Sequence, residues 1–251
     1  MIMPTQLGRS WVCMSAVSAL VLVTEAIPVL AAPESLEMTK TIALPEVRGR
    51  IDHLDIDLVG ERLFVAALGN DTVEIVDLKA GRPASRLESL REPQGIAYVG
   101  KVAKLFVANG GGGVSVFAGT PPQASGAVVS LEDADNAHLD DGKGQVYIGY
   151  GRALAEIDSA SDTVTARIPL AGHPEGFQLD TSSPRIFVNV PSAGHVAVVD
   201  RDKHGQVTTW RLVDAKANFP MALDAAHHRL FVGTRQPPSL LAYDTETGSV
   251  V

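Results

Sequence analysis

Short apolar runs with an aromatic at the centre recur along the chain. They are Leu63-Phe64-Val65, Leu105-Phe106-Val107, Val146-Tyr147-Ile148, Ile186-Phe187-Val188 and Leu230-Phe231-Val232. Ten and eight residues ahead of each aromatic stand Leu54/Ile56, Ile96/Tyr98, Ala137/Leu139, Phe177/Leu179 and Met221/Leu223. That alternation of period two predicts a strand with two distinct faces. Seven residues ahead of the aromatic come Asp57, Asp140, Asp180 and Asp224, with Val99 breaking the set. Turn-rich text follows each one, so these aspartates are expected to hydrogen-bond their own turns. Asp77, Asp200 and Asp244 lie thirteen residues after the aromatic and Asp158 eleven, each opening a second turn. Every copy therefore parses as strand A, turn, strand B, loop, strand C, tight turn, strand D. The D strands are expected near RLESL, GAVVSL, TVTARIPL and VTTWRLV.

The central aromatics are spaced 40–44 residues apart, the period of four-stranded propeller blades. The expected fold is all-β: a β-propeller of four-stranded antiparallel blades, about five of them present. The blades are placed at approximately 49–90, 91–131, 132–170, 171–213 and 214–251 within a domain spanning 32–251. Segments such as RLFVAALGNDTVEIVDLKAG and RIFVNVPSAGHVAVVD resemble the YVTN-type β-propeller repeat family over about residues 40–251. The resemblance implies an exported, periplasmic or secreted protein and a seven-bladed ring, and it carries little about activity. Trp-Asp repeats are a poor match, because Trp11 and Trp210 are the only tryptophans and neither precedes Asp.

Two closures of the ring are open. Thr39-Lys40-Thr41-Ile42-Ala43-Leu44 resembles an outer strand that could complete the last blade of a five-bladed ring. Ser249-Val250-Val251 instead sits where the fifth copy would begin its own outer strand. The second reading is preferred: about two more blades, with the sequence stopping short of a seven-bladed ring.

Residues 1–31 read as a secretory signal. Arg9 supplies positive charge, Trp11 to Val23 is an unbroken apolar and small stretch, and Val29-Leu30-Ala31 suits cleavage before Ala32. The alternative is an uncleaved anchor, but Glu25 and Pro28 interrupt the stretch before the roughly 20 apolar residues of a membrane span. The single cysteine, Cys13, falls inside this segment, so a disulfide framework is excluded. With 29 acidic against 21 basic residues, the net charge of −8 gives no bulk attraction for nucleic acid or anionic lipid. A monomer is expected, with no membrane contact beyond the signal.

In a four-stranded blade the D–A and B–C connections share the face carrying the channel mouth. His53, His138 and His173 precede or begin A strands and are expected there, with His195 from a B–C loop. Asp52, Asp135 and Glu175 accompany them, and Gln94, Asn136 and Asn218 add neutral hydrogen-bonding groups. Histidines and carboxylates converging on one funnel suit a divalent metal, for which His53, His138, His173 and Glu175 are the candidates, or acid–base work. The competing reading is a plain polar rim, since exposed loop backbone needs partners anyway. His204, His227 and His228 fall on the opposite turns and read as solvated. Asp200-x-Asp202-x-His204-Gly205 opens like a calcium loop but has Arg211 where a bidentate Glu is needed. Gly110 to Gly113 lacks a following helix and reads as a loop.

Three functions follow. The first is a binding scaffold recognising a small molecule, a cell-envelope component or a protein at the mouth. The second is a lactone-hydrolase or lactonising enzyme with a metal or acid–base site in the funnel. The third is a propeller subunit of a redox complex resembling amine dehydrogenases, whose partner would bring the cofactor. The catalytic residues are not assignable, and no cofactor beyond a possible divalent metal is implied.

Overall fold

A computed structural model describes residues 36–251; the signal segment expected at 1–31 lies outside them. The chain divides into Met1–Lys40 and Thr41–Val251. Within the first unit, residues 36–40 carry neither helix nor strand. The second holds all the sheets. No helix among the described residues is long and apolar enough to cross a membrane.

The first sheet contains β1 (Leu54–Asp57), β2 (Arg62–Ala67), β3 (Thr72–Asp77) and β4 (Arg82–Leu87). The second contains β5 (Pro93–Val99), β6 (Lys104–Asn109), β7 (Val114–Ala118) and β8 (Gln123–Val129). The third contains β9 (Ala134–Asp140), β10 (Gln145–Tyr150), β11 (Ala153–Asp158) and β12 (Thr163–Pro169). The fourth contains β13 (Phe177–Leu179), β14 (Arg185–Val190), β15 (His195–Asp200) and β16 (Gly205–Arg211). The fifth contains β17 (Lys216–Asp224), β18 (Arg229–Gln236) and β19 (Pro238–Asp244). Each sheet is an antiparallel meander with its strands in chain order, four strands in four sheets and three in the fifth among the described residues. The architecture is all-β and blade-like.

All five aromatic triplets occupy the second strand of their sheet. The two faces of that strand look at different neighbours, which explains why the triplet is apolar throughout. Phe64 packs between the first and second sheets, Phe106 between the second and third, Tyr147 between the third and fourth, Phe187 between the fourth and fifth. The flanking aliphatics turn the other way: Leu105 and Val107 join the Phe64 cluster, Ile186 and Val188 the Tyr147 cluster. Each fully buried aromatic contributes on the order of 2–3 kcal/mol. Tyr147, the one tyrosine of the set, donates its buried hydroxyl to Glu156 Oε2 at 2.6 Å. First strands lie beside one another from sheet to sheet, β1 against β5, β5 against β9, β9 against β13 and β13 against β17.

Two expectations are corrected. No strand covers residues 39–44. The chain's own last residues begin the missing outer edge of the fifth sheet: Tyr243 bridges Val250, and Val251 N–H donates to Ala242 O at 2.9 Å. Three outer strands also begin earlier than expected, at Arg82, Gln123 and Gly205, whereas β12 begins at Thr163 as expected. The starts of β4 and β8 carry no buried apolar residue, and their ends (Leu87, Val129) reach the core.

The turn aspartates do what their positions predict. Asp57 Oδ1 accepts from Gly60 N–H at 2.9 Å, Asp140 Oδ1 from Lys143, Asp180 Oδ1 from Ser182 and Asp224 Oδ1 from His227. Asp200 Oδ1 accepts from Asp202 and Lys203 N–H, so its carboxylate closes its own hairpin turn.

Candidate functional site

At the opposite end of the sheets from these turns lies an open cleft of about 940 Å³. Every sheet contributes to its lining, and the contributions share a register. The residue twelve places ahead of each central aromatic is Asp52, Gln94, Asp135, Glu175 and Phe219. All five line the cleft. This register is the signal that sequence reasoning missed: the carboxylates are copies of one position in the repeat.

The local backbone explains why that position faces inward. The first strands of the second, third and fifth sheets are irregular at the same place, between Pro93 and Ile96, between Ala134 and Ala137, and between Asn218 and Met221. Such bulges redirect side chains out of the pleat, here Gln94, Asp135 with Asn136, and Phe219 with Pro220. The strands approach so closely that a Cβ on Gly95 would stand 2.0 Å from Asp135 O, and one on Gly176 2.5 Å from Phe219 O. Only glycine fits at these two places.

Eight of the ten residues expected at the mouth line the cleft: Asp52, His53, Gln94, Asp135, Asn136, His138, His173 and Glu175. Asn218 does not. It is fully buried, donating from Nδ2 to Asn189 Oδ1 at 2.7 Å and to His195 O at 3.1 Å. Asn189 in turn donates to Phe219 O at 3.0 Å. The bulge leaves the Phe219 and Pro220 carbonyls without ladder partners; Asn189 supplies them, and Asn218 holds Asn189 in place. His195 is likewise absent from the lining, and its Nε2 is buried without a partner.

The lining also includes residues that sequence reasoning did not single out. Arg50 pairs with Asp52 at 2.7 Å, and the Arg235 guanidinium lies 3.8 Å from the Phe219 ring centroid. Arg235 sits near the end of β18, one of the longer strands. Nothing in its sequence neighbourhood marks it as a site residue.

Two triads could hold a metal: Asp135 with His173 and Glu175, and Asp52 with His53 and Asp135. Within each, the donor atoms lie within 4.8 Å of one another. His138 belongs to neither. Its ring meets Phe177 edge-on at 4.6 Å, and burial followed by the nearby His53 holds it down to about 4. It is therefore a neutral imidazole at physiological pH.

His173 is fixed from behind by a hydrogen bond between Nδ1 and Gly151 O at 3.0 Å. Its Nε2 stands 3.8 Å from Asp135 Oδ2, and Nδ1 lies 3.4 Å from Asp133 Oδ2. Asp135 is the main influence raising the His173 pKa; partial burial opposes it and Asp133 adds to it. Burial and then the Asp135 charge push the Glu175 carboxyl up. A scan against protein-family models gives no match, and a search of curated proteins gives none either.

Proposed function

We propose that this protein is an exported β-propeller that binds a small polar molecule in the cleft. The observation that carries the reading is the register of the lining: five sheets deliver one equivalent position each to a single concavity. Its volume suits a small ligand, and its polar groups converge as in binding pockets. The YVTN-type repeats and the secretory character of residues 1–31 support export to the periplasm or beyond. A ring with about two further blades accords with the flanks of the sheet stack. Leu54 on the first sheet is 53% exposed, whereas its counterpart Ile96 is 4% exposed between two sheets.

Thermal-shift screening of the full chain against a library of polar metabolites tests the binding reading. Binders are expected to raise the melting temperature of the parent but not of Gln94→Trp, which fills the cleft. No binder in the library, or binding that survives the tryptophan, overturns it. A second reading makes the pocket hydrolytic toward lactones. The observation favouring it is Glu175, a carboxyl with a raised pKa beside an imidazole, the pairing that general acid–base catalysis uses. Turnover of a lactone panel that Glu175→Gln abolishes is the expected result; undiminished turnover in that variant removes this version.

A further inference from the structure

Asp135 is 8% exposed and lines the cleft, and the His173 imidazole faces its carboxylate. Half-buried Glu175 lies beside them. The nearest nitrogen recorded for Asp135 is His173 Nε2, at 3.8 Å beyond hydrogen-bonding distance. Two carboxylates crowded beside one imidazole repel each other, and a cation held between them relieves that repulsion.

The imidazole adds a second, independent pointer. A carbonyl oxygen only accepts, so the bond to Gly151 O requires the proton on Nδ1. The neutral ring then turns its lone pair at Nε2 toward the two carboxylates. Metal-bound histidines are held in this way, with the second nitrogen donating to a backbone carbonyl.

We propose that Asp135, His173 and Glu175 bind a first-row divalent cation of the zinc class. The inference rests on the cleft being a binding pocket and names what it binds through. Donor atoms within 4.8 Å need to close to about 3.4 Å around an ion with bonds near 2.1 Å. One imidazole with two carboxylates favours zinc over calcium, which prefers six or more oxygens. The second triad is the weaker one, because Arg50 already occupies Asp52 at 2.7 Å. A cation held here would present its open positions to the cleft, where an anionic group of a small molecule could complete them.

The test is equilibrium dialysis of the untagged, EDTA-stripped full chain against Zn²⁺ alone at neutral pH, read by elemental analysis. One equivalent per chain is expected, bound at least about tenfold more tightly than Ca²⁺. Glu175→Gln and His173→Gln should each weaken Zn²⁺ binding by about tenfold or more, and Asp224→Asn at the turn end should leave it unchanged. Circular dichroism checks that the variants fold. Should they not, zinc protection of His173 in the parent from diethyl pyrocarbonate, read by mass spectrometry, gives the answer instead. Sub-stoichiometric zinc, calcium bound equally well, unaltered binding in both folded variants, or absence of protection overturns the site. A metabolite that binds the zinc-free parent but not Gln94→Trp would leave the pocket standing while the cation falls.

Discussion

The two ends of the sheets solve the same problem in opposite ways. At the turn end, each aspartate caps a turn within its own sheet. Asp180 shows it most fully, taking Ser182 N–H and hydroxyl, the Ser183 hydroxyl and Arg185 within five residues. At the cleft end, although Asp52 pairs locally with Arg50, several partners belong to other sheets. His173 leans on Gly151 of the third sheet, and Asn218 of the fifth on Asn189 of the fourth. Local satisfaction leaves the turn end chemically closed. Satisfaction between sheets leaves Asp135 and Glu175 facing the cleft, and those are the groups available to a ligand.

The largest expected effect lies where neighbouring first strands touch. Gly95→Val and Gly176→Val put side chains into backbone atoms at 2.0 and 2.5 Å, and each should cost more than about 4 kcal/mol. Loss of soluble, cooperatively melting protein is the readout, and parent-like melting would mean the sheets can separate at this end. Next comes Asp180→Ala at the turn end, expected to cost about 3 kcal/mol by denaturant titration because the buried carboxylate anchors Ser182, Ser183 and half-buried Arg185. Burial raises the Asp180 carboxyl, but the hydrogen bonds from Ser183, Ser182 and Arg185 outweigh it and bring it to about 2. Its contribution is therefore complete above the ordinary carboxylate range and disappears as pH falls toward 2.

A smaller effect separates the ends by pH. His138 has a folded value of about 4 against 6.5 when unfolded, so unfolding takes up a proton between these limits. Its contribution is full above about pH 6.5 and declines as pH falls to 4, by about 2 kcal/mol for a ring that faces an open cleft. His173, with a raised value, acts in the opposite sense. The difference between the parent and His138→Phe across that window isolates the first; equal slopes would show that His138 is solvated. The smallest effect belongs to His227→Ala at an exposed turn. Its ring pairs with Asp224 at 2.8 Å but is mostly in water, so the melting temperature should move by less than about 2 °C.

This contrast also explains what the amino-acid sequence made legible. The aspartate turns, the aromatic second strands and the face carrying the cleft follow from short-range spacing and a repeat. Asn218 misled because its sequence position matches the mouth, while its side chain is spent on Asn189 and the His195 carbonyl of the neighbouring sheet. Arg235 and Phe219 were invisible because nothing local distinguishes an arginine over an aromatic ring from one in solvent. Residues 39–44 have the composition of an outer strand, but outer strands are defined by the edge they join, and no strand forms there.

The shared register of Asp52, Gln94, Asp135, Glu175 and Phe219 has a practical consequence. These side chains stand on equivalent backbone sites and touch the cavity without forming part of the apolar clusters between sheets. Randomising the five codons together would therefore sample new specificities while sparing the interior, which makes the molecule a ready platform for selecting binders.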